Sequence, residues 1–324
     1  MNVLSEMHGQ RVADWEHVVV EPDGRRPELE FPNLRYFSTT DFIVPFVLYF
    51  GFFRLLSWAI KTYFWQTFTE FKRYRLHNLS VCLAHSLITG VWCACFVVTH
   101  PYEMFHNYVY YYEPWAAQIA ILSVAYFLHD AIDMLRYEWS KWTRELLLHH
   151  VMTGISLLTP LPNRRFLIPV YWALQMEINS IFLHARTIMQ LSGYNIKLPD
   201  FYRAVVYANI FSFVTCRFVS MVVFQYWTIW YYDHMNWWFV LIGCGGPFAF
   251  HTINAFLFFR VLAADGFLGE KMKSRAAINR DDQKLTKGPS LLEKQQNGNT
   301  VTNGHKNGIL ATPPHSQNGR VKVD

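Results

Sequence analysis

The chain contains few cysteines and lacks the motifs of common soluble enzymes. Its five cysteines all lie inside apolar runs, and no two form a Cys-x-x-Cys pair, so we expect buried thiols rather than a disulfide framework. There is neither a Gly-rich phosphate-binding loop nor a Gly-x-Ser-x-Gly elbow. Residues 1–38 contain no apolar core segment, so no cleavable signal peptide is predicted.

Long apolar runs fill the middle of the chain, and each is long enough to cross a hydrocarbon layer of about 30 Å. They predict an all-α, polytopic membrane helix bundle of about seven transmembrane helices. The fourth run ends in Pro160-Leu-Pro162, so a re-entrant or tilted segment is the alternative there. The predicted spans lie near residues 41–60, 79–99, 115–135, 146–162, 166–188, 203–227 and 237–262.

The polarity of the flanking segments predicts four regions. Residues 1–38 form a polar extramembrane segment, and residues 39–70 hold the first transmembrane helix and a basic connector. Residues 71–265 form the main membrane domain. Residues 266–324 are poor in large apolar side chains, so they are predicted to be a disordered cytosolic tail.

The distribution of lysine and arginine predicts the orientation. The loops His100–Pro114 and Thr228–Asn236 contain neither residue, whereas the connectors between them are basic. The rule that basic loops stay inside therefore places the C-terminus in the cytosol and, with an odd number of spans, the N-terminus outside. Arg164-Arg165 is the exception. The net charge of +5 lies mainly beside the membrane, which favours this orientation signal over nucleic-acid binding.

Titratable residues within the apolar runs are the main functional signal, because each costs roughly 2.5–3.5 kcal/mol in hydrocarbon on insertion scales. His149 and His150 lie side by side near the cytosolic end of the fourth run, and Asp130 lies at a similar depth. These three are the candidate catalytic residues. The candidate lining of a polar chamber that binds lipid or acyl groups comprises His85, His129, Asp133, Glu177, His184, Arg217, His251 and Asn254.

Structural roles are the alternatives for several of these residues. His85 or His251 alone would serve as a hydrogen bonder between helices. Asp133 lies close enough to the interface to be solvated or paired with Arg136, and Glu177 could form an ion pair with Arg217.

A metal centre is not predicted. Di-iron membrane oxygenases use several clustered histidine boxes, whereas this chain has one adjacent pair and scattered single histidines. A transporter is also disfavoured because the chain shows no internal repeat.

At these residues the chain resembles the TLC-domain family, which includes the translocation-associated membrane proteins and the ceramide synthases. The resemblance covers roughly residues 70–265 and is nearest to the branch of TLC-domain-containing proteins one and two. A segment typical of that branch begins at His77 and ends at Trp92. The family pieces are Ala125-Tyr-Phe-Leu-His-Asp130, Glu145-Leu-Leu-Leu-His-His150, Gln175-Met-Glu-Ile-Asn-Ser180, Leu183 and Arg217.

The resemblance implies that the chain regulates phospholipid acyl-chain composition and fluidity of the plasma membrane by limiting polyunsaturated chains. The alternative is an acyl-CoA-dependent acyltransferase, either lysophospholipid-specific or ceramide-synthase-like, using His149 and His150. The ceramide synthases place a His-Asp-x-x-Asp element after their double histidine, whereas here His129-Asp-Ala-Ile-Asp133 precedes it. Phospholipids or acyl donors are the expected partners, without a cofactor. The endoplasmic reticulum is the alternative compartment, and the oligomeric state stays open.

Overall fold

Helices make up the regular structure of the described chain. The computed structural model describes residues 21, 23–137 and 141–275, and within these ranges there is no β-strand. The predicted all-α class is confirmed. The predicted disordered tail from residue 276 onward lies outside the described residues, as do residues 1–20.

Eleven α-helices are named here in chain order. They are α1 (Thr40–Tyr63), α2 (Glu70–Thr99), α3 (Pro101–His106), α4 (Pro114–Tyr137), α5 (Lys141–Leu158), α6 (Leu167–Leu174), α7 (Met176–Ser192), α8 (Tyr194–Lys197), α9 (Pro199–Phe213), α10 (Ser220–Trp230) and α11 (Trp237–Ala264). A π-helical turn, Val214–Val219, joins α9 to α10.

Five helical segments are long and apolar enough to cross a membrane. They correspond to the first, second, third, sixth and seventh predicted spans: Thr40–Tyr63, Phe71–Thr99, Pro114–Tyr137, Pro199–Trp230 and Trp237–Ala264. The fourth predicted span corresponds to the 18-residue helix α5, which begins with charged residues. The fifth is divided between α6 and α7 at Gln175. The total of seven therefore stays a prediction.

Local sequence explains where several helices begin and end. Asn236 caps α11, because its side chain accepts a hydrogen bond from the backbone N–H of Trp238. Gly193 ends α7 with a φ of 83°, a conformation that glycine adopts without steric cost. Within α11, Pro247 cannot donate the backbone hydrogen bond of a regular turn. These features fix the positions at which α7 and α11 contribute side chains to the interior.

The segment before α1 lies across one end of the bundle. The Asn163 side chain donates hydrogen bonds to the carbonyls of Pro27 (2.6 Å) and Glu30 (3.1 Å). The Asn236 side chain donates to the carbonyl of Leu29 at 2.9 Å. These bonds hold the N-terminal segment against the loop after α5 and the loop before α11.

Ion pairs at the same end compensate Arg165, one of the two arginines that depart from the charge rule. Glu28 is fully buried, with one carboxylate oxygen 2.8 Å from Arg26 Nε and the other 3.8 Å from Arg165 Nε. Arg165 also pairs with Glu21 at 2.9 Å. Burial raises the pKa of the neighbouring Tyr110 hydroxyl, and the Glu28 carboxylate adds to that rise. Arg165 is therefore compensated within the protein.

Helix α11 extends from one end of the bundle to the other. It begins at Trp237, beside the N-terminal segment, and its 28 residues extend about 42 Å. Residue 264 therefore lies at the opposite end from the N-terminal segment. An odd number of crossings between the two gives this arrangement, and the N-outside, C-inside orientation stays a prediction.

Candidate functional site

The double histidine lies on α5, and its two rings point in different directions. Successive residues of a helix are rotated by about 100°, so neighbours cannot face one surface. The ring of His150 stacks on Phe127 of α4 at 5.0 Å. The ring of His149 meets the edge of Phe250 of α11 at 5.2 Å. The two imidazoles therefore belong to two different surroundings.

His150 belongs to a buried polar array with α4 and α2. Its Nδ1 lies 3.7 Å from Asp130 Oδ2, and the side-chain amide of Asn78 donates a 2.5 Å hydrogen bond to Asp130 Oδ1. The distance of 3.7 Å exceeds a hydrogen bond, but catalytic contacts commonly shorten when a ligand binds. The array can orient an imidazole through a carboxylate that is itself held in place.

His149 lines a small enclosed space that we call the inner cavity, with a volume of about 20 Å³. Glu177 of α7 contributes the only carboxylate among its described lining residues, and Thr153 and Ser156 contribute hydroxyl groups. The rest of the wall is apolar apart from Gly246. Its size suits about one water molecule. The inner cavity therefore places His149 and Glu177 in a wall that is otherwise mostly apolar.

Helix α2 holds Glu177 from behind. The Ser86 hydroxyl donates a 2.6 Å hydrogen bond to Glu177 Oε2, and His85 Nδ1 lies 3.7 Å from the same oxygen. Gly90 lies where the two helices approach most closely at this level, because a Cβ there would be 3.2 Å from the backbone of Glu177 and Ile178. The sequence of α2 thereby fixes the depth and direction of the carboxylate.

A second space, the outer cavity, continues toward the end covered by the N-terminal segment. Its volume is about 50 Å³, and Tyr108, Phe166 and Met235 line it near that end. The two cavities share the wall residues Ser156, Leu157, Ala173, Phe224 and Ile242. The two cavities therefore lie side by side, and we call the pair the apolar track; His149 and Glu177 line its inner cavity.

Arg217 forms a separate cluster. The π-helical turn carries it inward, where Nε donates to Asn179 (2.6 Å), Nη1 to Asn254 (2.9 Å) and Nη2 to Ser180 (2.8 Å). Within the described chain no carboxylate lies within 4 Å of the guanidinium, so the expected ion pair with Glu177 does not form. Arg217 and Glu177 interact only at longer range.

Asp133 pairs differently from the expectation. Its carboxylate is buried and bonds to Arg54 (3.0 Å) and Lys61 (2.8 Å), both on α1, so neither structural alternative, solvation or a pair with Arg136, is found. Both cations precede the region in which the sequence motifs occur, and no spacing rule connects them to α4. These two bonds tie the first helix to the rest of the bundle.

Three further predicted residues lie away from the inner cavity. His129 packs against Phe53. His251 engages the carbonyl of Pro247 within its own helix at 2.9 Å, and His184 is half-buried on α7. Neither His129, His184 nor His251 lines either cavity. The structure thus places His149 and His85 near Glu177. The other three histidines lie outside the cavity walls.

Sequence reasoning missed Asn78 and Ser86, which bond directly to the two buried carboxylates. A signal was present, because Asn78, His85 and Thr89 recur on one face of a helix with Ser86 beside them. Small polar residues are common in transmembrane helices, so that stripe carries little information without its partners.

The comparisons with known proteins agree with the motifs. A family model described as the TLC domain matches residues 75–263. The chain belongs to the TLC-domain family. TLC domain-containing protein 2 of Danio rerio is 28% identical over 66% of this chain and 86% of its own length. TLC domain-containing protein 1 of Gallus gallus is 28% identical over 60% of this chain and 75% of its own.

A human relative shows the same similarity over a shorter range. TLC domain-containing protein 2 of Homo sapiens is 30% identical over 43% of this chain and 53% of its own length. No solved structure matches the chain. The residues matched by the family model include Asn78, Ser86, Asp130, the double histidine and Glu177.

Proposed function

We propose that this protein regulates the acyl-chain composition of membrane phospholipids and limits the incorporation of polyunsaturated, fluidising chains at the plasma membrane. The observation that carries the proposal is the apolar track with His149 and Glu177 at one end. An apolar space bounded by a few polar groups suits a lipid chain that ends in a polar linkage. Membership of the TLC-domain family adds a link to membrane lipid homeostasis.

Helix α11 offers a means of admitting a chain. Gly246 forms part of the wall of the inner cavity, and Pro247 follows it. A Cβ at Gly246 would meet only the Ser156 hydroxyl, at 3.9 Å, so the seam between α5 and α11 is thinly packed there. A lipid chain enters when this seam widens.

The test uses cells from which the protein has been removed. Loss should raise polyunsaturated chains in phosphatidylethanolamine, and the wild-type chain should restore the profile. His149→Ala at wild-type abundance should fail to restore it, whereas His106→Ala, an exposed histidine of α3, should succeed. Lipid mass spectrometry with a packing-sensitive dye measures both effects. An unchanged lipid profile after removal would refute the proposal.

A second candidate is an acyltransferase, with acyl-CoA as its substrate rather than a resident cofactor. The array of His150, Asp130 and Asn78 favours it, because a carboxylate beside an imidazole is a common arrangement for general base catalysis. Purified protein would be assayed with labelled acyl-CoA and a panel of lysophospholipids. Turnover abolished by His149→Ala or His150→Ala supports the enzyme, and saturable lipid binding without turnover supports the regulator.

A further inference from the structure

Two cations of α1 converge on one carboxylate of α4 at the surface of the bundle. Nη1 of Arg54 lies 3.0 Å from Asp133 Oδ1, and Nζ of Lys61 lies 2.8 Å from Asp133 Oδ2. Arg54 and Lys61 are seven residues apart, so they share one face of α1. Among the described residues, no other carboxylate lies within 4 Å of either cation. One negative charge therefore faces two positive charges.

Arg136 of α4 adds a third positive charge beside these two. Its guanidinium carbon lies 5.5 Å from the centre of the Tyr137 ring, and Lys61 Nζ lies 5.2 Å from the same centre. The Arg136 side chain is exposed. We call Arg54, Lys61, Asp133 and Arg136 the α1–α4 cluster. It contains three positive groups and one negative group, so it attracts an anion.

Arg54 lies well within the membrane span rather than at its end. It precedes the last residue of α1, Tyr63, by nine residues, which corresponds to about 13 Å along the helix. Its side chain is 41% exposed, and Leu55 and Trp58 beside it are more than half exposed. The guanidinium is therefore held on a face of α1 that meets the acyl chains of the bilayer, where a charge is costly.

The guanidinium of Arg54 retains donors for a ligand. Only Nη1 forms a hydrogen bond with a described residue, so Nε and Nη2 have no partner in that part of the chain. A guanidinium presents its N–H groups in a planar fork that matches two oxygens of a phosphate. Acyl chains cannot accept these hydrogen bonds, whereas the phosphate of a lipid headgroup drawn toward the cluster can.

The surroundings favour a phospholipid over a free anion. Trp58 is 57% exposed on the same face of α1 as Arg54, and Ile132 is 39% exposed beside Asp133 on α4. These apolar side chains suit acyl chains attached to the phosphate. In the predicted orientation this end of α1 lies in the cytosolic leaflet, which contains the anionic phospholipids.

We propose that the α1–α4 cluster binds the headgroup phosphate of an anionic phospholipid on the membrane-facing surface of the bundle. Arg54 donates hydrogen bonds to the phosphate, and Lys61 and Arg136 contribute positive charge. Asp133 is the positioning residue that holds the two cations of α1. No residue of the cluster lines the apolar track, so this site is independent of the proposed function.

The experiment measures lipid binding by native mass spectrometry of the full-length protein in an uncharged detergent. Titrations with dioleoylphosphatidylserine and dioleoylphosphatidylcholine compare two lipids whose acyl chains are identical and whose net headgroup charges differ. We expect phosphatidylserine to bind about tenfold more tightly, since a net negative headgroup meets an excess of positive charge in a partly buried site. Glycerophosphoserine, which is the same headgroup without acyl chains, should bind at least about tenfold more weakly than the lipid.

Variants then assign the preference to the cluster. Arg54→Gln should lower the ratio of the two lipid Kd values by about threefold or more, because it removes both the charge and the fork of donors. Arg136→Gln should lower the ratio by a smaller factor, and it breaks no ion pair with a described residue. Arg203→Gln is the matched control, because Arg203 is an exposed arginine of α9 that pairs with Asp200. It should keep the wild-type ratio.

Four results would overturn the inference. Equal Kd values for the two lipids in the wild type would show that the cluster does not select an anionic headgroup. A ratio unchanged in both Arg54→Gln and Arg136→Gln, or lowered equally in Arg203→Gln, would assign the preference to the basic loops in general. Glycerophosphoserine bound as tightly as phosphatidylserine would indicate a site for free anions. Should Arg54→Gln fail to fold because Asp133 loses a partner, Arg136→Gln decides the matter.

Discussion

Two polar clusters lie inside this helix bundle, and they are constructed in opposite ways. Around Arg217, each of three guanidinium nitrogens donates to a side-chain oxygen of α7 or α11. Around the double histidine, Nδ1 of His149 and Nδ1 of His150 are buried and have no hydrogen-bond partner in the described chain. Each of the three guanidinium nitrogens thus has an acceptor, although Nδ2 of Asn254 in the same cluster lacks a partner among the described residues, whereas neither imidazole Nδ1 has one.

The difference separates structural from functional polarity. A buried polar group that lacks a partner loses free energy that the fold must recover elsewhere, so such groups are rare without a reason. A guanidinium group whose nitrogens all have acceptors can contribute rigidity without a ligand. Arg217 therefore joins the π-helical turn to α7 and α11, whereas Nδ1 of His149 and Nδ1 of His150 have no hydrogen-bond partner in the described chain. The comparison predicts that substitution of Arg217 lowers the free energy of unfolding more than substitutions around the double histidine.

Arg217→Leu should produce the largest loss of stability. It relieves the burial of a guanidinium but removes the donor to the side-chain oxygens of Asn179 and Asn254, and each stranded group costs about 1–3 kcal/mol. We expect a net loss of about 3 kcal/mol in the free energy of unfolding, seen as low abundance and a lower Tm in detergent. Arg203→Ala is the control, because its pair with Asp200 is exposed and contributes little. A wild-type Tm for Arg217→Leu would show that the cluster is not structural.

The sequence predicted the class of the fold, but not how its buried polar residues pair. Apolar run length identified five helices that now stand at or near the predicted positions, because hydrocarbon thickness constrains length directly. Pairing depends on helix rotation and on which helices are neighbours. Asp133 illustrates this, since its partners Arg54 and Lys61 lie on a helix more than seventy residues earlier.

The division of the double histidine also lay beyond the sequence. Adjacency shows that His149 and His150 point apart, but not which faces the inner cavity. That depends on α4 supplying Phe127 to one ring and α11 supplying Phe250 to the other. The partial unwinding at Arg217 is likewise a product of packing, because nothing in the local sequence distinguishes a π-helical turn from a regular one.

Asp130→Ala should have an intermediate effect on stability. The substitution removes the acceptor for the Asn78 amide and the charge beside His150. Stranding one buried amide corresponds to about 1–3 kcal/mol. Thermal unfolding in detergent measures it, with the exposed Asp200→Ala as control. Asp130→Asn should recover part of the loss because its carbonyl oxygen still accepts from Asn78. Equal losses for both variants would indicate that the charge matters rather than the hydrogen bond.

His149→Leu should change stability least while removing function. Leucine has a similar volume, and the buried Nδ1 that it replaces has no hydrogen bond to lose. Volume-conserving swaps usually cost less than about 1.5 kcal/mol, and removal of an unsatisfied nitrogen acts in the opposite direction. The Tm in detergent should therefore stay near or above that of the wild type, while the variant fails to restore the lipid profile of cells that lack the protein. A large drop in Tm would mean that His149 holds the helices together. The distinction between a structural cluster at Arg217 and a different role at His149 would then be wrong.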